Sequence, residues 1–311
     1  MTQIERLSLV IFFVMVAAVF LLAALAILRK ALRTLGFFYL QTGSKIKAAE
    51  WFSIGLAAIG VMCFIYGFAY GPYDLEVRNV EVFSSKVSDT IRVVHISDIH
   101  SDPFPRLEEA LPSIIKSQKP DLIVYSGDSV NSEDGLPVFR KFIKETATIA
   151  PTYVVRGNWD VWYWPHLDLF GDTGAIELNE NSESFKKGST EILLSGKPVE
   201  SQDELPKLIS SAGKDRFHIA LYHYPDEIEP VSEAGADLYC AGHTHGGQVA
   251  LPIYGALVTF SKYGKRYEGG TYNVRDTTLN VNRGIGMEGG TTPRVRFWAT
   301  PEITVIDIKP K

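Results

Sequence analysis

Apolar residues are spread unevenly along the chain, and their spacing divides it into two parts of different character. Residues 7–28 form a run of 22 positions without a charge, and residues 51–70 form a second run of 20. At 1.5 Å of rise per residue, either run covers a hydrocarbon layer about 30 Å thick when helical. A signal peptide has a shorter apolar stretch after a basic start. Here only Arg6 precedes the first run, and Arg29 and Lys30 follow it. The pattern predicts a transmembrane hairpin over residues 1–73, with helices at about 7–28 and 51–70, and a separate domain over residues 74–311.

Beyond residue 74 the apolar runs shorten and alternate with stretches of helical spacing. Residues 91–97 (IRVVHIS), 121–126 (DLIVYS) and 152–156 read as buried strands rich in β-branched side chains. Between them Leu107, Ala110, Leu111, Ile114 and Ile115, and then Val138, Phe139, Phe142 and Ile143, recur at helical spacing. This β-α-β-α-β order predicts an α/β fold with parallel strands and helices packed on them. Residues 175–195 resolve into short strand-like pieces between Gly and Asn turns, and 218–222 and 237–240 are further short strands. The tail returns to strand patterns (TYNV, TTLNVN, ITVIDI), expected to build a second, mostly antiparallel sheet.

Charge adds an orientation. The link between the apolar runs carries Arg29, Lys30, Arg33, Lys45 and Lys47, whereas the outer flanks carry Arg6, and Arg78 beside Asp74 and Glu76. The positive-inside rule then places the link in the cytoplasm. The chain is expected to be a multi-pass inner-membrane protein with its domain extracytoplasmic. A net charge of −5 gives no reason to expect nucleic acid as a partner. The two cysteines, Cys63 in an apolar run and Cys240 far from it, do not suggest a disulfide framework.

The chemistry-bearing residues follow the strands. Five strand-end loops present Asp98 and His100, Asp128, Asn158, His223, and His243 with His245, where functional groups collect in α/β sheets. In an extended segment residues i and i+2 share a face, so Asp98 with His100, and His243 with His245, should each aim two donors one way. Glycines before Asp128, Asn158 and His243 permit tight turns. Carboxylate, amide oxygen and imidazole together suit Mn²⁺, Fe²⁺ or Zn²⁺. One Asp after a strand is usually a cap and one His usually a surface residue, but five such loops are not explained that way. His95 and His218 sit inside apolar runs and read as core. His166 reads equally as a surface residue or as part of the site's rim. Trp159, Trp162, Tyr163 and Trp164 read as core, as an apolar substrate entrance, or as interface residues.

In order, DIH, GDSVN, GNWD, HYPD and GHTHGGQ resemble the signature of the calcineurin-like metallophosphoesterases. The GHTHGGQ form and the ending NRGIG…PRVRFWATPEITVI are most similar to the bacterial membrane-associated or exported members. The resemblance covers roughly residues 90–308 and implies a four-layer αββα sandwich with two divalent ions between its sheets. It assigns one ion to Asp98, His100 and His245 and the other to Asn158, His223 and His243, with Asp128 bridging. Mn²⁺ is the first choice, with Fe²⁺ or Zn²⁺ as alternatives. Asn158 is also expected to contact a phosphoryl oxygen. The family commonly has His after the Gly-Asn pair, to protonate the leaving group or bind phosphate. Here that residue is Trp159, which cannot act as an acid, and His166 is the one candidate left for the role.

The implied activity is hydrolysis of phosphodiester, phosphomonoester or pyrophosphate bonds. The hairpin points to the lipid bilayer as a partner and to a lipid-linked phosphate ester as substrate. A narrower alternative is the UDP-2,3-diacylglucosamine pyrophosphatase of lipid A synthesis, which requires a cytoplasmic site. A non-catalytic metal-binding membrane protein is a further alternative, against which the complete ligand set weighs.

Overall fold

The computed structural model describes residues 1–34, 44–200, 204–290 and 293–311. Helix α1 (Gln3–Thr34) carries the first apolar run, and helix α2 (Ser44–Ile65), prolonged by a π-helical turn (Tyr66–Tyr70), carries the second. Phe20 packs on Gly60, and Lys30 lies over the Trp51 ring. The contact runs backward along α2 as it runs forward along α1, so the pair is an antiparallel hairpin. Both helices are long and apolar enough to cross a membrane. The side chains of Arg33, Lys45 and Lys47, which carry most of the orientation argument, lie outside the described residues.

The rest of the chain begins with β1 (Glu76–Ser84), β2 (Ile91–Ile96), α3 (Leu111–Ser117), β3 (Leu122–Tyr125), α4 (Leu136–Ala147), β4 (Thr152–Val154), α5 (Asn158–Trp162) and β5 (Ile176–Glu177). It continues through β6 (Asn181–Lys187), β7 (Thr190–Gly196), α6 (Glu204–Ser211), β8 (Phe217–Leu221), α7 (Ile228–Ala234) and β9 (Leu238–Ala241). A small hairpin of β10 (Ala250–Leu251) and β11 (Gly255–Ala256) precedes β12 (Gly270–Val274), β13 (Thr277–Val281) and β14 (Glu302–Pro310).

Two sheets stack face to face, in the orders β1-β14-β2-β3-β4-β5 and β12-β13-β9-β8-β7-β6. Period-two alternation decides what each strand buries. In β2, Ile91 and Val93 enter the layer between the sheets, where they join Ile192, Phe217 and Ile219. Val94 and Ile96 face outward, onto Ile115 of α3 and Phe139 and Phe142 of α4. A third core joins Tyr239 and Leu279, on the outer face of the second sheet, to Ile209 of α6 and Val231 of α7. The architecture is therefore the four-layer αββα sandwich. Strands buried on both faces read as continuous apolar runs, which is why β2, β3 and β8 stood out in the sequence.

Three expectations need correction. The last strand, β14, joins the first sheet, parallel to β1 and antiparallel to β2. The second sheet is antiparallel only at its edges, β12 with β13 and β6 with β7, while β13, β9, β8 and β7 run parallel. The crossovers through α6 and α7 impose that direction. The helix expected from Leu107 starts only at Leu111, with Pro112 in its first turn, a position that tolerates proline's missing N–H.

His95 and His218 are core residues, as expected. His95 Nε2 lies 2.9 Å from Ser126 Oγ, its Nδ1 lies 2.7 Å from the Asn280 amide nitrogen, and His218 Nε2 lies 2.7 Å from Ser195 Oγ. Burial pushes them down to about 3 and about 4 respectively, so both stay neutral. The hairpin meets this body at both of its ends. Glu5 Oε1 accepts hydrogen bonds from the Thr259 N–H and hydroxyl at 2.8 Å each, and Gly67 O accepts one from the Arg296 N–H at 2.8 Å.

Candidate metal centre

The loops after β2, β3, β4, β8 and β9 converge at one end of the sandwich. Ligand atoms of Asp98, His100 and His245 lie within 4.8 Å of one another, as do those of Asp98, Asp128 and His223. Asp128 Oδ2 is 3.2 Å from His223 Nε2 and 3.5 Å from His100 Nε2, and so sits between the two groups. His243 packs its ring 5.1 Å from that of His223 and brings its backbone N–H to 3.1 Å from Asp98 Oδ2. Asn158 is buried at the start of α5. The next backbone N–H, that of Trp159, donates to Asp128 Oδ1 at 2.8 Å. Two glycines permit the approach. A Cβ on Gly157 would stand 2.1 Å from Asp128 Oδ1, and one on Gly242 would stand 1.9 Å from Ser97 Oγ.

The donors do not converge as pleated neighbours on extended chain, as the sequence suggested. Asp98, His100, Asp128, His243 and His245 all have positive φ, between 44° and 71°. Left-handed backbone is uncommon outside glycine, although Asp and His adopt it more readily than most residues, and it costs on the order of 1–3 kcal/mol per residue, persisting where the surroundings over-determine it. Cross-loop hydrogen bonds do this here: the Asp98 N–H donates to Gly127 O at 2.9 Å and the His100 N–H to Asp128 O at 3.1 Å.

Among the described residues, three of the converging atoms are buried without a well-aligned hydrogen-bond partner, His100 Nε2, His223 Nε2 and Asn158 Oδ1, although His223 Nε2 stands 3.2 Å from the Asp128 carboxylate. Leaving such atoms unsatisfied is expensive, and three aimed at one place fit a bound cation. The opposite ring nitrogens are already committed. His223 Nδ1 donates to Ser126 O at 2.8 Å. His100 Nδ1 donates to Asn131 Oδ1 at 3.1 Å, while the amide nitrogen of Asn131 donates to His100 O and Met287 O. Both imidazoles therefore turn Nε2 toward the cluster, where a bound cation would take the place of any proton on it. His245 is held differently. Arg296, which can only donate, lies 3.0 Å from its Nδ1, and Nε2 faces Asp98 Oδ1 at 3.3 Å.

The electrostatics follow from burial against charge. Burial pushes His100 and His243 down to about 3. His223 is also buried, but the Asp128 and Asp98 carboxylates outweigh that and hold it up to about 9. Burial alone would raise Asp98 and Asp128, yet the surrounding imidazoles hold both below the usual carboxylate range. Asp160 goes the other way. Burial, reinforced by the Asp128 charge, pushes it up to about 6 although it accepts several backbone hydrogen bonds.

Four supporting residues were given no role by the sequence reading. Asp160 accepts from the N–H groups of Asp128, Ser129 and Gly157 at 2.8–2.9 Å, tying the second loop to the third. Asn131 and Asp160 lie inside the quoted motifs GDSVN and GNWD, where their polarity beside a ligand was the available signal. Arg296, fully buried, binds the carbonyls of His245, Arg283, Gly286 and Ala299. Glu288 accepts from the Trp159 indole at 3.4 Å, with burial holding its carboxyl above the usual range. No local pattern marks either of these last two. His166 lies apart from the cluster: its side chain is 59% exposed and 2.9 Å from Glu133 Oε1. The aromatic group divides. Trp159 is buried edge-on to His100, Trp164 packs on the outer core of the first sheet, and Trp162 and Tyr163 are exposed.

The model of the calcineurin-like phosphoesterase family matches residues 91–247, the span that holds all seven converging residues. The chain belongs to that family. Among its relatives is the uncharacterised metallophosphoesterase YkuE of Bacillus subtilis, 31% identical over 82% of this chain and 94% of the relative. The phosphodiesterase YaeI of Escherichia coli is 26% identical over 78% and 93%. The UDP-2,3-diacylglucosamine pyrophosphatase LpxG of Chlamydia trachomatis is 24% identical over 70% and 83%. The chain is a metal-dependent phosphoesterase, a hydrolase. Its family binds two divalent metals, and the two carboxylate–imidazole groups are the candidate ligand sets.

Proposed function

We propose that this hydrolase is anchored in a membrane by its hairpin and holds two divalent ions, Mn²⁺ foremost. One ion falls to Asp98, His100 and His245, the other to Asn158, His223 and His243, with Asp128 shared. The supporting observation is the set of buried atoms without a well-aligned partner, His100 Nε2, His223 Nε2 and Asn158 Oδ1. When bound, such ions polarise phosphoryl oxygens and make water a nucleophile at neutral pH. The chain's own residues hold the geometry. Asp160 and the Trp159 N–H fix Asp128 between the two imidazoles. Asn158, with its oxygen turned inward, keeps its NH₂ group for a phosphoryl oxygen of the substrate.

The substrate class we propose is a phosphodiester or pyrophosphate carried on a lipid, reached from the extracytoplasmic side as the charge pattern suggests. The second reading, a UDP-2,3-diacylglucosamine pyrophosphatase, draws support from the likeness to LpxG and needs the opposite orientation. Metal analysis, with a turnover screen in Mn²⁺ over mono-, di- and pyrophosphate esters, tests the first reading. Protease added to intact spheroplasts should cleave the domain. Protection until lysis would reverse the orientation and favour the second reading.

A further inference from the structure

One edge of the domain exposes large apolar side chains on backbone that such residues rarely adopt. Ile253, at the tip of the β10–β11 hairpin, is fully exposed, Phe260 is 49% exposed and Trp298 60%. All three have positive φ, at 69°, 56° and 57°, outliers for β-branched or bulky residues. In water these side chains return nothing for the strain. In a second apolar phase, burial of each would favour the conformation.

The position of the edge identifies that phase. Tyr254 Oη lies 2.5 Å from Ser8 Oγ, and Ser8 is the second residue of the first uncharged run. The Thr259 N–H and hydroxyl bind Glu5 one turn earlier. On the other helix, Phe297 meets the Tyr66 ring edge-on at 5.9 Å, and the Arg296 N–H binds Gly67 O. Tyr66 and Gly67 belong to the last turn of the second run. The edge thus lies level with the start of one apolar run and the end of the other, where a spanning helix passes from headgroups into hydrocarbon. Lys265 stacks over the Tyr254 ring at 4.0 Å, and Lys262 and Arg266 are exposed nearby in sequence, a composition suited to anionic headgroups.

We propose that Ile253, Tyr254, Phe260 and Trp298 form a membrane-seated edge that inserts into the lipid interface beside the hairpin. This rests on the membrane-spanning reading of α1 and α2. The same segments carry the metal centre. Ile253 follows His245 by eight residues. Val249 and Phe297 form a bridge, and Arg296 contacts both Nδ1 and O of His245. Seating the edge would therefore hold the second sheet's ligand loop at the bilayer surface. The centre would then suit an amphiphilic phosphate ester whose chains stay in the membrane.

The test uses the full chain, carrying Cys63→Ser, in vesicles of phosphatidylcholine with phosphatidylglycerol; Cys240 is buried. Single cysteines, Ile253→Cys, Trp298→Cys, Phe13→Cys in α1 and Lys141→Cys on α4, each carry an environment-sensitive fluorophore. Brominated acyl chains quench from within the bilayer and iodide quenches from water. The proposal expects lipid quenching at positions 253, 298 and 13, and iodide quenching at 141. Lipid quenching at 13 with iodide quenching at 253 and 298 would overturn the edge and leave the anchor standing. Iodide quenching at all four positions would overturn both.

Discussion

The two sheets contribute unlike halves to one centre. The loops of the first sheet bring the carboxylates, the amide and one imidazole: Asp98, His100, Asp128 and Asn158. Those of the second sheet bring only imidazoles: His223, His243 and His245. The halves are also supported differently. In the first, an acidic residue organises the backbone, since Asp160 collects three N–H groups from two loops. In the second, a buried cation collects carbonyls, through Arg296. Neither half assembles a ligand group alone. One group joins Asp98 and His100 to His245, and the other joins Asp98 and Asp128 to His223. The centre is therefore a cross-link between sheets that otherwise meet through an apolar layer and a few polar contacts, such as His95 with Asn280.

The largest effect should come from Asp128, whose carboxylate lies between an imidazole of each half. Asp128→Asn keeps the shape but removes the charge between His100 and His223. The loss of turnover should exceed the roughly 100-fold upper end typical of residues that only support a ligand. Bound metal should fall with it while the far-ultraviolet circular dichroism stays near wild type. Two ions per chain with normal turnover in the variant would refute the shared role.

Next come the supports of each half. Asp160→Asn leaves one carbonyl oxygen for three N–H donors, and Arg296→Lys replaces a fork that reaches several carbonyls with a single ammonium. Each should lower activity by about 10–100-fold, with the loss in metal affinity read by titration against a chelating dye. If only one of the two variants loses affinity, the halves are not equivalent partners, and the intact one is preorganised without its support.

A smaller effect follows from the cross-link itself. Each ion bound across the sheets stabilises the folded state by mass action, by about 2.7 kcal/mol at 100 times its Kd. For a domain of this size that is roughly 5–10 °C in Tm. Chelation should lower Tm by at least that amount, and Mn²⁺ should restore it. An unchanged Tm after verified removal of the metal would mean that the sheets are held without help from the centre.

The contrast between the halves also shows what the sequence could reveal. The strand ends were legible because an apolar run broken by Asp, Asn or His is a local pattern, and β2, β3, β4, β8 and β9 lie close to where it put them. Strand partners were not legible. ITVIDI reads as a strand wherever it goes, and its place between β1 and β2 is decided by contacts across more than 200 residues. The left-handed φ of Asp98 or His245 was hidden for a similar reason, because hydrogen bonds between loops set it against local preference. Arg296 lies in a stretch whose other arginine, Arg294, is exposed. Only the fold distinguishes the two.

An effect confined to poor leaving groups concerns the proton that neither half visibly supplies. Trp159 stands where the family commonly has His, and its indole donates to Glu288 at 3.4 Å while its ring meets His100 edge-on. His166 is paired with Glu133 and shares no hydrogen bond with the cluster. An alkoxide leaving group is strongly basic, and general-acid help is typically worth 10²–10⁴-fold. A departing phosphate monoester has a second pKa of about 6 and needs little help at neutral pH. The wild type should therefore cleave pyrophosphate and aryl phosphate bonds well and alkyl phosphates poorly. Across a graded series of phosphate esters its rate should fall steeply as leaving-group pKa rises, and Trp159→His should flatten that slope. Its rate on the best leaving groups should hardly change, because no proton is needed there. Equal shallow slopes in both proteins would mean that another group, such as Glu288, the carboxyl that accepts from the indole, already delivers the proton. Glu288→Gln should then steepen the wild-type slope.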